Sequence, residues 1–319
     1  MTTLIPWIGG KGKLIPVLRD MMPRNFNRFV DVFGGGGTVT FNLPMRKNVQ
    51  RVYNDLNGNL TYLMRVVREQ PLSLLVELGF VPLHSRDEFN VLCKFLRKER
   101  FTDEYMQQEM DLADIYFDPV DAETLKELLR ANGKLNPVVR AAAFYKVMRG
   151  SFSGTGDSYG AKPMNIRQFF HQIWRVSDIL QNVIVENRTY EEAIRQYDRK
   201  KGLVYCDPPY YSTEKYYEAI FSLADHLRLN ELFKQLKGYG MLSYNDCEFI
   251  RELYKDFYIF RVERPDSLSQ KEGQMFVELI ITNYDPREHT SQMSLLDQIG
   301  GGCVLVHEPE NKQFIKTWR

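Results

Sequence analysis

Several features that often identify a protein class are scarce in this chain of 319 residues. Only four cysteines are present, and they are widely separated: Cys93, Cys206, Cys247 and Cys303. They form no CxxC pair and no cluster with histidine, so the sequence predicts neither a zinc site nor a disulfide framework. We therefore expect no bound metal.

Long apolar runs and an excess of one charge are also absent. No run approaches the ~20 residues that span a bilayer, and Gly9-Gly10-Lys11 interrupts any signal-peptide pattern. The expectation is a protein without a membrane segment in the reducing cytoplasm. With a net charge of +1, any surface for nucleic acid must be a local patch.

The most distinctive stretch is an apolar run, Val204 to Cys206, that ends in an acid, two prolines and two tyrosines. Because proline cannot donate to a β-ladder, the strand must stop at Cys206 or Asp207. The prolines then form a rigid turn that presents a carboxylate, free carbonyls and an aromatic ring. Open α/β sheets bind ligands at the carboxyl ends of their strands, so we predict a ligand site here.

A glycine turn near the N-terminus suggests a second part of that site. Arg28–Phe33 is predicted as a buried strand, Gly34–Thr38 as a tight turn, and a helix begins at Val39. Asp55 ends the next predicted strand, 22 residues after Phe33. An acid ~20 residues beyond such a turn can bind ribose hydroxyls, which favours an adenosine-containing cofactor over a purely structural turn.

The remaining pattern predicts an α/β fold. Further strands are expected at Val183–Glu186, Gly240–Tyr244, Tyr258–Val262 and Phe276–Thr282, and the last two should pair as a hairpin. Helical patterns lie between the earlier strands, and one of them predicts a helix over Tyr190–Tyr197. We therefore predict a mostly parallel sheet with helices on both faces, an antiparallel edge hairpin and a mainly helical insertion.

The predicted insertion contains an acidic and a basic part. Asp103–Glu127 is rich in acids and is interpreted as a solvated face, whereas Lys134–Arg175 is rich in cations. A basic helix, Arg140–Arg149, followed by the aromatic and hydroxyl-rich loop Gly150–Gly160 suits phosphate contacts and insertion into a duplex. The alternative is a basic helix face beside an ordinary surface loop. The candidate DNA-binding residues are Lys134, Arg140, Lys146, Arg149, Ser151, Phe152, Ser153, Tyr159 and Lys162.

Three motifs together resemble one enzyme family. Phe33-Gly34-Gly35-Gly36-Gly37 resembles the FxGxG motif, and Asp207-Pro208-Pro209-Tyr210 the DPPY motif, of S-adenosylmethionine-dependent amino-methyltransferases that act on DNA. Pro6-Trp7-Ile8-Gly9-Gly10-Lys11 resembles the WxGGK opening of the Dam-type (D12 class) adenine-N6 methyltransferases. The motif order is similar to that of the α group. The resemblance extends over about residues 5 to 285 and implies a Rossmann-like methyltransferase fold.

The resemblance implies transfer of a methyl group from S-adenosylmethionine to the N6 amine of an adenine flipped out of double-stranded DNA. Asp207 and the carbonyl of Pro208 would accept hydrogen bonds from the amine, and Tyr210 would stack on the base. Pro208 and Pro209 would fix these directions. Through its substrate the protein would be nucleoid-associated. The recognition sequence and a partner restriction endonuclease stay open.

For the cofactor, the resemblance implies contacts from the glycine turn, from Asp55 and from the opening segment. Thr189 stands where relatives often have an acid near the cofactor's adenine, so backbone groups of Thr189 and Tyr190 are predicted to serve instead. The candidate cofactor-binding residues are Trp7, Gly9, Gly10, Lys11, Phe33, Gly34, Gly35, Gly36, Gly37, Thr38, Asp55, Thr189, Tyr190 and Asp207.

The predicted domain bounds follow the motif order. Residues 1–78 and 171–285 would form the catalytic domain, 79–170 the target-recognition insertion and 286–319 a tail. In the tail, Gln292-Met293-Ser294-Leu295-Leu296 resembles the peptide by which bacterial proteins bind the replication sliding clamp, although a tail packed on the core is the alternative.

Two other functions compete with adenine methylation. A cytosine-N4 methyltransferase uses similar motifs, but aspartate rather than serine at position 207 and the WxGGK-like opening favour adenine. A catalytically inactive DNA-binding relative would keep the fold, and the intact Asp207-Pro208-Pro209-Tyr210 and Asp55 argue against it.

Overall fold

The computed structural model describes residues 2–7, 9–80, 85–97, 111–126, 137–161, 165–211, 221–265, 275–288 and 303–317. The chain forms two compact units. Unit 1 comprises Met1, Lys11–Asn57 and Asn182–Arg319, and unit 2 comprises Thr2–Gly10 and Gly58–Gln181. The predicted insertion at residues 79–170 falls within unit 2, which also takes in neighbouring segments that the sequence assigned to the catalytic domain.

Unit 1 is built around an eight-stranded sheet with the order β3-β2-β1-β4-β5-β7-β6-β8. Strands β1 to β5 run parallel, and β7, β6 and β8 add an antiparallel edge. The predicted mixed α/β sheet with an edge hairpin is therefore confirmed. The strands are β1 Arg28–Asp31, β2 Gln50–Asn54, β3 Val183–Glu186, β4 Gly202–Cys206, β5 Tyr239–Asn245, β6 Tyr258–Pro265, β7 Met275–Thr282 and β8 Cys303–His307.

Apolar side chains cover both faces of this sheet. Val30 and Val204 point into one core, and Phe29 and Leu203 into the other, because successive residues of a strand face opposite sides. Strand β4 is buried along its whole length, as expected for a central parallel strand. The helices of unit 1 are α1 Ile15–Met21, α2 Thr38–Asn42, α10 Tyr190–Tyr197, α11 Leu223–Lys234 and α12 Glu248–Leu253.

The order of the strands places the two main motifs side by side. From β1 the chain proceeds to β2 and β3 on one side, and β4 then returns to pair with the other side of β1. Carboxyl ends of adjacent parallel strands at such a reversal form a crevice that binds ligands. The glycine turn follows β1 and Asp207 follows β4, so both lie at this switch point.

Strand β8 was not predicted from the sequence. The segment Cys303–His307 pairs antiparallel with β6, with a register shift between Ile259 and Phe260. Cys303 faces the core while Val304 is exposed, an alternation typical of an edge strand with one wet face. Part of the tail is therefore an integral strand of the sheet.

Unit 2 is mainly helical. Among the described residues its helices are α3 Gly58–Glu69, α4 Pro71–Phe80, α5 Arg86–Arg97, α6 111–116, α7 119–126, α8 Pro137–Gly150 and α9 Phe170–Leu180. The central element is α8, in which ten of fourteen residues are buried. Helices α3, α4 and α5 pack against α8, which explains why residues from 58 onward join this unit.

Some sequence predictions concern residues that lie outside the described ranges. These are Lys134, Lys162, the clamp-like peptide Gln292–Leu296, and residues 103–110 and 127 of the acidic segment. Within the described ranges, no helix has the length and apolar character needed to cross a bilayer. No group of three or more His, Cys, Asp or Glu side chains there could hold a metal ion.

Candidate active site

The glycine turn after β1 is a compact cradle with little room for side chains. Gly34 donates its backbone N–H to the carbonyl of Asn54 at 2.8 Å, and Gly37 closes the turn onto the Gly34 carbonyl at 2.9 Å. A Cβ at Gly34 would lie 2.2 Å from the ring of Tyr53, and Gly37 has a φ of +77°. Glycine is therefore required at both positions, and the backbone of the turn is left open to close approach.

Asp55 is anchored to the glycine turn by its carboxylate. Its Oδ2 accepts the N–H of Gly35 at 2.8 Å and its Oδ1 that of Asn57 at 2.8 Å. Burial raises the pKa of Asp55 to about 6, and the two backbone donors act against that rise. The predicted ribose-binding acid thus lies directly beside the turn.

Aromatic rings line the next part of unit 1. Phe33 stacks on Tyr190 with 5.8 Å between ring centroids, and Phe221 packs against both rings. Thr189, in contrast, caps helix α10: its N–H donates to Glu192 Oε2 at 3.1 Å, and its carbonyl accepts from Ala193. The backbone groups of Thr189 are therefore already used in the helix cap, whereas the Tyr190 ring faces Phe33.

Asp207 lies at the end of β4 with both carboxylate oxygens held. Ser243 Oγ, on β5, donates to Oδ1 at 2.7 Å, and Lys11 Nζ lies 2.9 Å from Oδ2. The hydroxyl of Tyr205 lies 2.9 Å from Ser243 Oγ, so the serine hydroxyl is oriented as well. Burial raises the pKa of Asp207, and the Lys11 ammonium is the largest influence that lowers it.

Tyr210 is buried with its hydroxyl engaged. The hydroxyl donates to Oε1 of Glu278 at 2.6 Å, and the Lys11 ammonium stands 4.8 Å from the ring centroid. Glu278 is fully buried on β7, and Lys11 Nζ lies 3.6 Å from the same oxygen. One face of the ring predicted to stack on the base is thus next to the lysine that contacts Asp207.

The next tyrosine, Tyr211, packs in the core of unit 1. Its ring stacks on Phe249 at 4.5 Å and meets the edge of His226 at 5.5 Å. Its carbonyl accepts the side-chain amide of Asn245 at 3.1 Å. These contacts anchor the chain directly after the DPPY turn.

The opening segment is divided between the units. Trp7, Gly9 and Gly10 belong to unit 2, where Gly10 donates its N–H to the Trp7 carbonyl, and Lys11 belongs to unit 1. Thr38, the first residue of α2, is buried in unit 1. Of the predicted cofactor set, the turn, Asp55, Asp207 and Lys11 are therefore brought together within a single unit.

The cations of α8 are engaged inside unit 2. Arg149 donates to the Leu4 carbonyl at 2.7 Å and lies 3.6 Å from the centroid of Phe169, and Arg140 donates to Asn59. Lys146 is only 6% exposed, and burial lowers its pKa. This differs from a helix with an exposed basic face, because a helix that is apolar on most sides packs at the centre of its unit.

The loop after α8 is closed by backbone hydrogen bonds. Phe152 donates its N–H to the carbonyl of Ser158 at 2.8 Å, and Ser151 and Tyr159 form an isolated antiparallel bridge. Tyr159 packs on Phe89 with 5.6 Å between ring centroids. Phe152, in contrast, is 64% exposed, so the loop presents an aromatic side chain to solvent.

Sequence reasoning missed two residues of the Asp207 cluster and did not predict that a third, Lys11, contacts Asp207. Ser243 and Glu278 received no role, and Lys11 was expected only near the cofactor. Glu278 interrupts the apolar run Val277–Thr282, and an acid in a buried strand is the pattern that could have revealed it.

The residues at the switch point fit S-adenosylmethionine. The turn Gly34–Gly37 presents backbone groups without side chains, and the Asp55 carboxylate beside it suits a ribose. The stacked rings of Phe33 and Tyr190 supply an apolar surface next to the turn. A methyl donor held there would lie on the same sheet edge as Asp207.

Comparison with known proteins agrees with this geometry. The model for the D12 class N6 adenine-specific DNA methyltransferases matches residues 7–268. The type II methyltransferase M1.LlaDCHI of Lactococcus lactis subsp. cremoris is 27% identical over 300 residues, 87% of this chain and 94% of that protein. The type II methyltransferase M.MjaIII of Methanocaldococcus jannaschii is 26% identical, over 88% of this chain and 98% of its own length.

A DNA adenine methylase of Salmonella typhimurium is 23% identical over 307 residues, which cover 88% of this chain and 95% of that protein. The family match includes the glycine turn, residues 79–170 and the DPPY segment, and the similarity to these relatives covers most of the chain. The chain belongs to the D12 class of N6 adenine-specific DNA methyltransferases.

Proposed function

We propose that the enzyme transfers the methyl group of S-adenosylmethionine directly to the N6 amine of an adenine flipped out of double-stranded DNA. The observation that supports this most is the carboxylate of Asp207, fixed at a buried strand end by Ser243 and Lys11. When bound, the cofactor supplies an electrophilic sulfonium methyl group. No covalent enzyme intermediate is needed, because positioning provides much of the rate.

Asp207 and the Pro208 carbonyl act on the amine of the target base. The lone pair of that amine is delocalised into the ring, and accepting hydrogen bonds from its N–H groups localises the pair on nitrogen. As the N–CH3 bond forms and the S–CH3 bond breaks, S-adenosylhomocysteine is left and one N6 proton is released. Pro208 and Pro209 restrict the backbone, so the carboxylate and the carbonyl keep their directions. Tyr210, whose hydroxyl is held by Glu278, offers its ring to the base.

The cofactor is held by the glycine turn, by Asp55 and by the aromatic pair Phe33 and Tyr190. Asp55 binds the ribose from its place beside Gly35. The cap contacts of Thr189 favour Tyr190 over Thr189 as the neighbour of the cofactor's adenine.

DNA is contacted by the loop after α8. The exposed ring of Phe152 suits insertion between base steps, and Ser151, Ser153 and Tyr159 lie along the same loop. Arg149, which is half-buried near the end of α8, precedes this loop, and Arg140, also half-buried, lies farther back along the helix as a further candidate. Lys146 is left out of this contact because its side chain is buried.

Labelled methyl transfer to double-stranded DNA tests the mechanism. We expect Asp207→Asn to reduce the single-turnover rate by at least roughly a hundredfold, since it removes the charged acceptor and keeps the shape. Exposed Asp178→Asn serves as the matched control. Transfer by Asp207→Asn at the wild-type rate would refute the assigned role.

Nucleoside analysis of the methylated DNA identifies the modified atom. N6-methyladenine is expected, and N4-methylcytosine would instead favour the cytosine alternative. For the loop, Phe152→Ala is expected to weaken flipping of a 2-aminopurine placed at the target position, with Phe117→Ala as a control at another exposed ring of unit 2. Equal flipping by wild type and Phe152→Ala would remove Phe152 from the proposal.

A further inference from the structure

Two charged side chains are buried beside the half-buried carboxylate of Asp207 at the active-site edge of unit 1. Lys11 is 4% exposed and Glu278 is 0% exposed, and Lys11 Nζ lies 2.9 Å from Asp207 Oδ2 and 3.6 Å from Glu278 Oε1. Burying ions costs free energy that apolar residues of similar volume would not incur. Such a cluster is therefore a poor device for stability, and a role in the chemistry of the site explains it better.

We propose that Lys11 and Glu278 are positioning residues for the methyl transfer. Lys11 holds Asp207 as an oriented anion, and Glu278 holds both Lys11 and the hydroxyl of Tyr210. Neither residue needs to touch the reacting atoms. The inference rests on the proposed role of Asp207 as acceptor for the target amine.

Lys11 acts on the charge and the direction of Asp207. The carboxylate must be ionised to accept the amine strongly, and burial alone would favour its neutral form. The ammonium on Oδ2 opposes that effect, while Ser243 fixes Oδ1. A carboxylate has about four acceptor positions, so an amine N–H can be added without loss of either contact.

Glu278 connects the two halves of the site. On β7 it pairs with Asn245 at the carboxyl end of β5, the same edge at which Asp207 follows β4. Its Oε1 accepts from Tyr210 at 2.6 Å and faces Lys11. The carboxylate thus fixes the ring that receives the base and draws the ammonium partly away from Asp207, toward itself.

This arrangement predicts that Glu278→Gln lowers the rate of methyl transfer when Lys11 is present and raises it in the Lys11→Met variant. With Lys11 present, glutamine still accepts from Tyr210 but no longer attracts the ammonium. The ammonium then moves further onto Asp207 and turns its carboxylate away from the direction in which it accepts the amine. In Lys11→Met the cation between the two carboxylates is lost, and the negative charge of Glu278, which raises the pKa of Asp207, favours protonation of one of them. Glu278→Gln then removes the repulsion and favours ionised Asp207.

The test is the single-turnover rate of methyl transfer at saturating cofactor and DNA. We expect Glu278→Gln to lower the rate by roughly tenfold and Lys11→Met by roughly a hundredfold, with the double variant roughly tenfold faster than Lys11→Met, since one pKa unit changes an ionised fraction tenfold. Cofactor affinity of Glu278→Gln should stay within about twofold of wild type, as expected for a residue that acts on Asp207 and Tyr210.

Glu252→Gln and Lys255→Met make the same exchanges in an ion pair whose side chains are 70% and 59% exposed, and both should leave the rate unchanged. If the double variant is no faster than Lys11→Met, the inference is overturned. A wild-type rate for Glu278→Gln overturns it as well, and this single variant decides the matter even if Lys11→Met does not fold. Asp207→Asn, measured in parallel, separates the two ideas. If it keeps the wild-type rate, the proposed function itself fails.

Discussion

Asp31 is a buried acid whose replacement should remove one contribution to the pH dependence of stability. It ends β1 and is 1% exposed, and its Oδ2 accepts from Thr40 Oγ1 at 2.6 Å. Its Oδ1 has no hydrogen-bond partner in the part of the chain that the structure describes. Burial raises the pKa of Asp31 to about 7, although the Thr40 hydroxyl acts to lower it.

The direction in which stability changes with pH follows from proton binding. An unfolded aspartate has a pKa of about 3.9, so the folded state binds the proton more tightly, and stability is lost as the pH rises from about 4 to about 7. The pKa difference of about three units corresponds to about 4 kcal/mol, of which about 3 kcal/mol falls between pH 5 and pH 8. Asp31→Asn keeps the shape and an acceptor for Thr40 but does not titrate.

Urea unfolding of the cofactor-free protein at pH 5, 6, 7 and 8 measures this effect. The free energy of unfolding of Asp31→Asn minus that of wild type should rise by about 3 kcal/mol across this range. Asp178→Asn, at an exposed position, controls for the loss of one negative charge. A difference that is the same at every pH would show that Asp31 does not bind a proton preferentially in the folded state.

Three substitutions test other parts of unit 1 by the same unfolding assay. Gly34→Ala should cost about 1–3 kcal/mol, because its Cβ would collide with the buried ring of Tyr53; full stability would mean that the ring moves freely. Thr189→Ala removes the capping box with Glu192 and should cost about 0.5–2 kcal/mol, whereas Thr189→Ser should not. Asn283→Ala leaves the buried N–H of Gly240 and the carbonyl of Gly238 without their side-chain partner and should cost about 1–3 kcal/mol. An unchanged urea midpoint would show that these two hydrogen bonds do not contribute to stability.

Local patterns predicted much of unit 1. Strand β3 and helix α10 were expected with the bounds Val183–Glu186 and Tyr190–Tyr197 that the structure has. Both are short-range cases: a branched apolar run favours a strand, and a threonine followed three residues later by a glutamate begins a helix. The glycine turn and the DPPY segment were likewise recognisable because backbone freedom and rigidity depend on residue type.

Patterns that depend on distant partners were interpreted less well. The alternation in Cys303–His307 is too short to indicate a strand, and its pairing with β6 depends on the exposed edge of that strand. Helix α8 looked basic in sequence, yet its alanines and aromatics allow close packing on three neighbouring helices. Which side chains a helix exposes is decided by what packs around it.

The sequence by itself determined the class of the sheet, the order of its motifs and the chemistry of Asp207, because strand-forming runs, glycines and prolines act locally. Only the tertiary structure decided that Lys11 and Glu278 meet at that carboxylate. The two residues lie at opposite ends of the chain, and strand pairing alone brings β7 to the edge where β4 ends. Electrostatic effects depend on distance and burial, and both are properties of the folded chain.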